Sequence, residues 1–247
     1  QVYQNDGTGS FSLYADGGSS DLIPVNEGSA DWGDIDGDGD LDLLVTGFAN
    51  DDGLYLEPLA TLYENTGSGF SILRADIAPN ISTSDLTAVA SGDADFGDLD
   101  GDGDLDLVLT GAQGGGSRVA TLFTNDGTGV FSPSNTEDLT PVDSSATALG
   151  DMDNDGDLDL VIAGRNASNV PTTTVYRQDG DGNFEVLEAD GDGDTSGLPG
   201  VQNGDVAWGD VDGDGDLDLF LTGSGTTGVY ENDVANGNGF RLLADDG

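Results

Sequence analysis

Residues 34–42 read DIDGDGDLD, five aspartates on alternate positions with no cation beside them. The string returns as DLDGDGDLD at 98–106, DMDNDGDLD at 151–159 and DVDGDGDLD at 210–218. Two carboxylates held about 4 Å apart repel by on the order of 4 kcal/mol at an effective dielectric near 20, so a tight turn made of them demands a bound cation. Each run is followed by an apolar stretch ending in glycine, LLVTG, LVLTG, LVIAG or LFLTG, and preceded by Trp32, Phe96, Leu149 or Trp208 before a Gly-Asp pair. Short runs of Leu, Val and Ile bounded by turn residues read as strands buried on both faces. The repeated unit is therefore a strand, an acidic loop and a buried strand.

A second element alternates with the first: VYQNDGTGSF at 2, LYENTGSGF at 62, LFTNDGTGVF at 122, VYRQDGDGNF at 175 and VYENDVANGNGF at 229. An aromatic, an Asn or Gln, a glycine-rich turn and a Phe predict a β-hairpin, because glycine supplies the positive φ of such turns. The 41 glycines and seven prolines argue against long helices, and no segment has a helical period. The acidic runs recur at intervals of 64, 53 and 59 residues, the length of a four-stranded blade repeated around an axis. The predicted fold is an all-β propeller of four-stranded antiparallel blades. It forms one array without a linker: a half-blade at 1–20 and blades at about 21–80, 81–137, 138–192 and 193–247. Connectors such as RADIAPNISTSDLTAVASGD at 74–93 read as surface loops.

Five lysines and arginines against 49 acids give a formal charge of −44. Such a surface repels phosphate backbones and anionic lipid, which argues against nucleic-acid and membrane roles. The four runs hold 20 of the acids, and the 29 elsewhere point to a saline or extracellular setting. Without Cys or His there is no thiol chemistry, no disulfide, no imidazole base and no ordinary zinc site. No apolar run is long enough to span a bilayer and no signal peptide starts at Gln1, which fits a processed, secreted chain.

An all-oxygen site of four carboxylates and one carbonyl suits Ca²⁺, whose flexible shell takes six to eight oxygens, better than octahedral Mg²⁺. In the first loop the expected side-chain ligands are Asp34, Asp36, Asp38 and Asp42, with the carbonyl of Asp40 and a bend at Gly39. The equivalents are Asp98, Asp100, Asp102 and Asp106 with Asp104; Asp151, Asp153, Asp155 and Asp159 with Asp157; and Asp210, Asp212, Asp214 and Asp218 with Asp216. An EF-hand would need a bidentate Glu at the twelfth position, where this chain has Val45, Leu109, Ile162 and Leu221. The ninth-position Asp closes the loop instead.

An aromatic-Gly-Asp, a D-x-[DN]-x-D-G-x-x-D loop, a buried strand and a terminal small residue resemble the FG-GAP repeat, also called the VCBS-type repeat, along essentially the whole chain. The family builds calcium-loaded β-propellers, among them the head of integrin α-subunits and many bacterial surface proteins. The resemblance implies that each loop joins the first two strands of a blade and braces it from one rim. LTG or IAG stands here where the family often has Gly-Ala-Pro.

Weaker signals remain. DGDGD at 190–194 offers a candidate fifth cation site through Asp190, Asp192 and Asp194, without the continuation to a ninth Asp. DGDGNFE at 179–185 reads as a hairpin turn. Asn80 and Asn166 open N-x-S sequons. Tyr3, Tyr63, Phe123, Tyr176 and Tyr230 read as packing between blades, with a sugar-stacking platform as the alternative. A propeller does not dictate its function. The leading expectation is an extracellular binding or adhesion module for a protein or glycan; the alternative is a structural subunit of a surface filament; a polysaccharide-active enzyme ranks last, since only carboxylates, Tyr and five scattered arginines remain for acid–base work. Five hairpins and four acidic units leave one pair of strands over, at the N-terminal hairpin. Either the chain is an arc of a longer ring, on the order of 420 residues for seven blades of roughly 60, or a neighbouring subunit completes the half-blade in a homo-oligomer or filament.

Overall fold

The computed structural model describes residues 2–14, 22–51, 55–67, 69–77, 86–134, 139–180, 182–187, 197–236 and 239–245. Strands β1 (Tyr3–Asn5) and β2 (Phe11–Leu13) form a two-stranded hairpin, followed by the short β3 (Val25–Asn26). A four-strand antiparallel meander comes next: β4 (Ala30–Gly33), β5 (Asp42–Asp51), β6 (Tyr55–Asn65) and β7 (Phe70–Ile77). The same order returns as β8 (Ala94–Gly97), β9 (Asp106–Ala112), β10 (Arg118–Asn125) and β11 (Phe131–Pro133). It returns again as β12 (Val142–Gly150), β13 (Asp159–Asn166), β14 (Pro171–Gln178) and β15 (Phe184–Val186). The last set is β16 (Asp205–Gly209), β17 (Asp218–Gly223), β18 (Thr226–Asn232) and β19 (Phe240–Asp245). Helix among the described residues is limited to 3₁₀ turns at Gly114–Gly116 and Val234–Asn236, so the fold is all-β.

In every meander the acidic run is the connection between the first two strands, and its ninth residue opens the second strand. Gly33 faces Asp42, Gly97 faces Asp106, Gly150 faces Asp159 and Gly209 faces Asp218 across the ladder. The four loops consequently lie at equivalent edges of their sheets. The DGDGNFE segment is a hairpin turn, with Asp179 N–H donated to Asn183 C=O at 3.1 Å.

The core lies between consecutive sheets rather than at one centre. Leu44 of β5 packs with Leu107 and Leu109 of β9, Val108 of β9 with Leu160 and Ile162 of β13, and Val161 of β13 with Leu219 and Leu221 of β17. Alternate side chains of each second strand therefore face the preceding and the following sheet, which is why these strands read as unbroken apolar runs. The pattern ends at β17, where Phe220 is 39% exposed because no described sheet follows. Tyr63, Phe123, Tyr176 and Tyr230 are buried in these interfaces, whereas Tyr3 in the first hairpin is exposed.

A glycine makes each interface possible. A Cβ at Gly33 would lie 3.0 Å from Leu105, one at Gly97 would lie 2.8 Å from Leu149 and Leu158, and one at Gly150 would lie 2.7 Å from Trp208. Each of these glycines is a socket that receives an aromatic or Leu from the next sheet. Residues in the left-handed region also connect the sheets through backbone: Ser91 N–H donates to Glu27 C=O at 2.8 Å, Ser144 N–H to Ser91 C=O at 2.5 Å, and Asn203 N–H to Ser144 C=O at 2.9 Å.

Candidate metal centres

Within each acidic run the first, third and ninth aspartates converge. Asp34, Asp36 and Asp42 each offer a carboxylate oxygen within 4.8 Å of the others, and so do Asp98, Asp100 and Asp106; Asp151, Asp153 and Asp159; and Asp210, Asp212 and Asp218. Oxygens on opposite sides of an ion with metal–oxygen bonds of about 2.4 Å lie about 4.8 Å apart, so one divalent ion can touch all three. The sharp reversal uses the glycine at the sixth position, with φ between 93 and 103° at Gly39, Gly103, Gly156 and Gly215, a region closed to most side chains. Its N–H is donated to the first aspartate, at 3.1 Å from Asp34, Asp98 and Asp151 in the first three loops.

The fifth and seventh positions also make hydrogen bonds within and between the loops. Asp38, Asp102, Asp155 and Asp214 lie outside the groups of three, and each accepts the N–H of the seventh residue, Asp40, Asp104, Asp157 or Asp216, at 2.9–3.0 Å. Asp104 and Asp157 sit beside the turn glycines Gly127 and Gly180, and Asp216 accepts the side-chain amide of Asn154 at 3.1 Å, linking the third loop to the fourth. The run at 190–194 and Asn80 lie outside the described residues. Asn166 ends β13, where its Oδ1 accepts the N–H groups of Ser168 and Val170, so the side chain of this sequon is engaged in its own turn.

The ninth aspartate is the keystone. Asp42, Asp106, Asp159 and Asp218 are at most 2% exposed. One oxygen of each accepts the N–H of the second loop residue, Ile35, Leu99, Met152 or Val211, at 2.9–3.1 Å. The other accepts the N–H of Asn65, Asn125, Gln178 or Asn232 at the end of the third strand, at 2.7–3.0 Å. One carboxylate thus ties the loop, the second strand and the third strand together.

Those Asn and Gln residues belong to the site, a role that was not read from the sequence. Their side-chain amides donate to the carbonyl of the eighth loop residue, Leu41, Leu105, Leu158 or Leu217, at 3.1–3.2 Å. Asn125 and Asn232 also reach the second residue of the preceding loop, Ile35 C=O and Met152 C=O, both at 2.8 Å. The signal was present in the recurrence of Asn or Gln at one place in every hairpin.

The electrostatics of these loops suits a cation. Burial pushes Asp42 and Asp106 above their ordinary range and Asp159 up to about 6, against the N–H hydrogen bonds that favour the charged form. Asp34 Oδ1 and Asp153 Oδ1 are buried and accept no hydrogen bond. A buried carboxylate oxygen without a donor is costly, and a hard cation is the partner its chemistry accepts. The donor set therefore fits a metal ion.

The profile of the FG-GAP-like repeat matches residues 98–162 and 151–221, together half of the chain. The chain belongs to the FG-GAP-like repeat family. The matched stretches contain the second, third and fourth acidic loops, and the first FG-GAP-like loop, at 34–42, repeats their geometry. No curated protein sequence matches the chain. Among solved structures, Bacillus licheniformis rhamnogalacturonan lyase PL11 is similar over 87% of this chain, with a TM-score of 0.52 and 18% identity. The chain spans 41% of that lyase's length, and the likeness is one of fold.

Proposed function

We propose that this chain is an extracellular, calcium-stabilised β-propeller domain that acts as a binding or adhesion module for a protein or glycan, with Ca²⁺ as a structural cofactor. In this reading the four meanders are four blades and β1–β2 is a half-blade. The observation that carries the calcium assignment is the four-fold recurrence of three convergent carboxylates with buried, donorless oxygens at Asp34 and Asp153. An all-oxygen donor set of carboxylates and one loop carbonyl suits Ca²⁺ among the common divalent ions. The ion stabilises by binding the native loop in preference to the open chain. We read no catalytic role into the chain. The convergent aspartates are already committed to the loops, and the sequence has no His, Cys or Lys to serve as a base or nucleophile.

Metal analysis of the purified protein should return four Ca²⁺ per chain, and retention on immobilised polysaccharides, rhamnogalacturonan among them, should depend on Ca²⁺ and release intact polymer. Release of unsaturated or shortened sugar chains would replace the binding reading with an enzymatic one. A second reading, a subunit of a filament or assembly completed by neighbouring polypeptide, is favoured by one feature: β1 pairs only with β2 among the described residues. Exposed strand edges template pairing with another segment.

A further inference from the structure

The fourth position of the acidic loops is glycine three times, Gly37, Gly101 and Gly213, with φ of 74–81°, and Asn154 in the third loop. Asn is one of the few residues besides glycine that adopt left-handed backbone readily, and Asn154 keeps the bend at a φ of 59°. Glycine at this place has no side chain to extend. Asn154 reaches out of its own loop and donates its amide to Gly215 C=O at 2.6 Å and to Asp216 Oδ1 at 3.1 Å. Gly215 is the sixth-position bend of the fourth loop, and Asp216 carries the carbonyl expected to face the fourth ion.

A second bridge joins the same two loops from the strand side. Asn232 donates its N–H to Asp218 Oδ1 at 2.9 Å and its amide to Leu217 C=O at 3.1 Å, both in the fourth loop, and to Met152 C=O at 2.8 Å in the third. Met152 and Asn154 flank Asp153, so both bridges end beside a convergent carboxylate whose Oδ1 is buried without a donor. Among the described residues the first and second loops share the strand-side bridge alone, from Asn125 to Ile35 C=O at 2.8 Å.

We propose that the third and fourth acidic loops bind their divalent cations as a coupled pair and that Asn154 carries the coupling, so that an ion in either loop raises the affinity of the other. The inference rests on the calcium reading above and adds to it an interaction between two of the four sites. Without an ion, repulsion among its aspartates spreads an acidic turn. An ion that closes the fourth loop fixes Gly215 C=O and Asp216 where Asn154 meets them. Asn154, once fixed, holds Asp153 in place for the ion of the third loop. The segment between the two sites thus loses its freedom once for two ions, which is positive cooperativity. Such coupling is reciprocal, and each loop raises the affinity of the other by the same factor.

The test is a titration of the 247-residue protein with Ca²⁺, its free concentration set by a chelator buffer, followed by nuclear magnetic resonance. The backbone N–H groups of the sixth-position glycines, Gly39, Gly103, Gly156 and Gly215, report the four loops separately. Asp153→Ala removes a ligand from the third loop and should lower the Ca²⁺ affinity read at Gly215 by at least about fivefold. In an Asn154→Gly background, which restores the glycine of the other three loops, the same change should lower it by less than about twofold. Should Asp153→Ala not fold, the shape of the titration carries the test. Gly156 and Gly215 should then respond together and more steeply than a single site in the intact protein, and with single-site slopes in Asn154→Gly. A fourth-loop affinity indifferent to Asp153→Ala overturns the proposal, as does coupling that persists undiminished in Asn154→Gly. No response at any of the four glycines removes the calcium reading and this inference with it, whereas four independent single-site responses leave the calcium reading standing and remove this inference alone.

Discussion

Asp95 shows how far a single carboxyl can be displaced in this acidic protein. Burial lifts it to about 7, a hydrogen bond from Thr147 Oγ1 opposes the shift, and the charges of Asp93, Asp31 and Asp205 add to it. An unfolded Asp titrates near 3.8, so between that value and about 7 the folded chain holds the extra proton, and stability falls as pH rises through this window. Asp95→Asn should therefore raise the melting temperature at pH 8, and the gain should shrink towards pH 4; an equal gain at both values would contradict the argument. In the acidic loops the same physics would act against a bound cation. Asp159, at about 6 without a cation, must lose its proton to ligate. Calorimetric titration with Ca²⁺ should show affinity falling from pH 7.5 to pH 5, with buffer-dependent heats that report proton release. Identical isotherms at the two pH values would exclude Asp159 as a ligand.

At the scale of the element, the socket glycines separate packing from backbone freedom. Gly150 and Gly209 open equivalent loops, but a Cβ would strike Trp208 at the first and meets nothing within 4 Å at the second. Gly150→Ala should cost about 1–3 kcal/mol by overpacking, and Gly209→Ala should stay within about 0.5 kcal/mol, both read from denaturant midpoints. The second loop residue makes the complementary test. Met152 is fully buried between the third and fourth meanders and Val211 is 56% exposed. Met152→Ala should cost about 2–5 kcal/mol and Val211→Ala almost nothing. Comparable losses at Met152 and Val211 would mean that another sheet covers the fourth meander in solution.

The whole molecule is governed by its charge. Four Ca²⁺ ions would move the formal charge from −44 to −36, since each adds two, so repulsion persists even with every loop filled. Each ion at a hundred times its dissociation constant contributes about 2.7 kcal/mol, and the chelated chain loses that while regaining the repulsion among its aspartates. Chelator should lower the melting temperature by many degrees, and added monovalent salt should recover part of the loss through screening. If salt has no effect on the chelated protein, its instability arises from lost ligation geometry rather than from net charge. Because contacts run from one meander to the next, Asp36→Ala should increase hydrogen exchange mostly in β4 to β7 and the neighbouring β8 to β11.

The acidic loops, the buried strands behind them and the hairpins were legible in the sequence because each is local: alternate aspartates with glycine at the sixth position dictate a turn, and a bounded apolar run dictates a strand. The family resemblance rested on those same residues. What lies across a sheet interface is not local. Ile35, Leu99, Met152 and Val211 occupy one position in nearly identical loops, yet the first three are at most 4% exposed and the fourth is 56% exposed. Their environments differ only in whether a following sheet is there to cover them. The ninth aspartate's hold on Asn65, Asn125, Gln178 and Asn232, the backbone run from Glu27 to Asn203, and the hydrogen bond from Thr147 to Asp95 likewise join residues 14 to 64 positions apart. The sequence by itself determined the repeating unit and its acidic loop, since turn and strand propensities act over a few residues. Only the tertiary structure decided which carboxylates are buried, which glycines are filled and which end faces stay open, since burial depends on the sheet that arrives next.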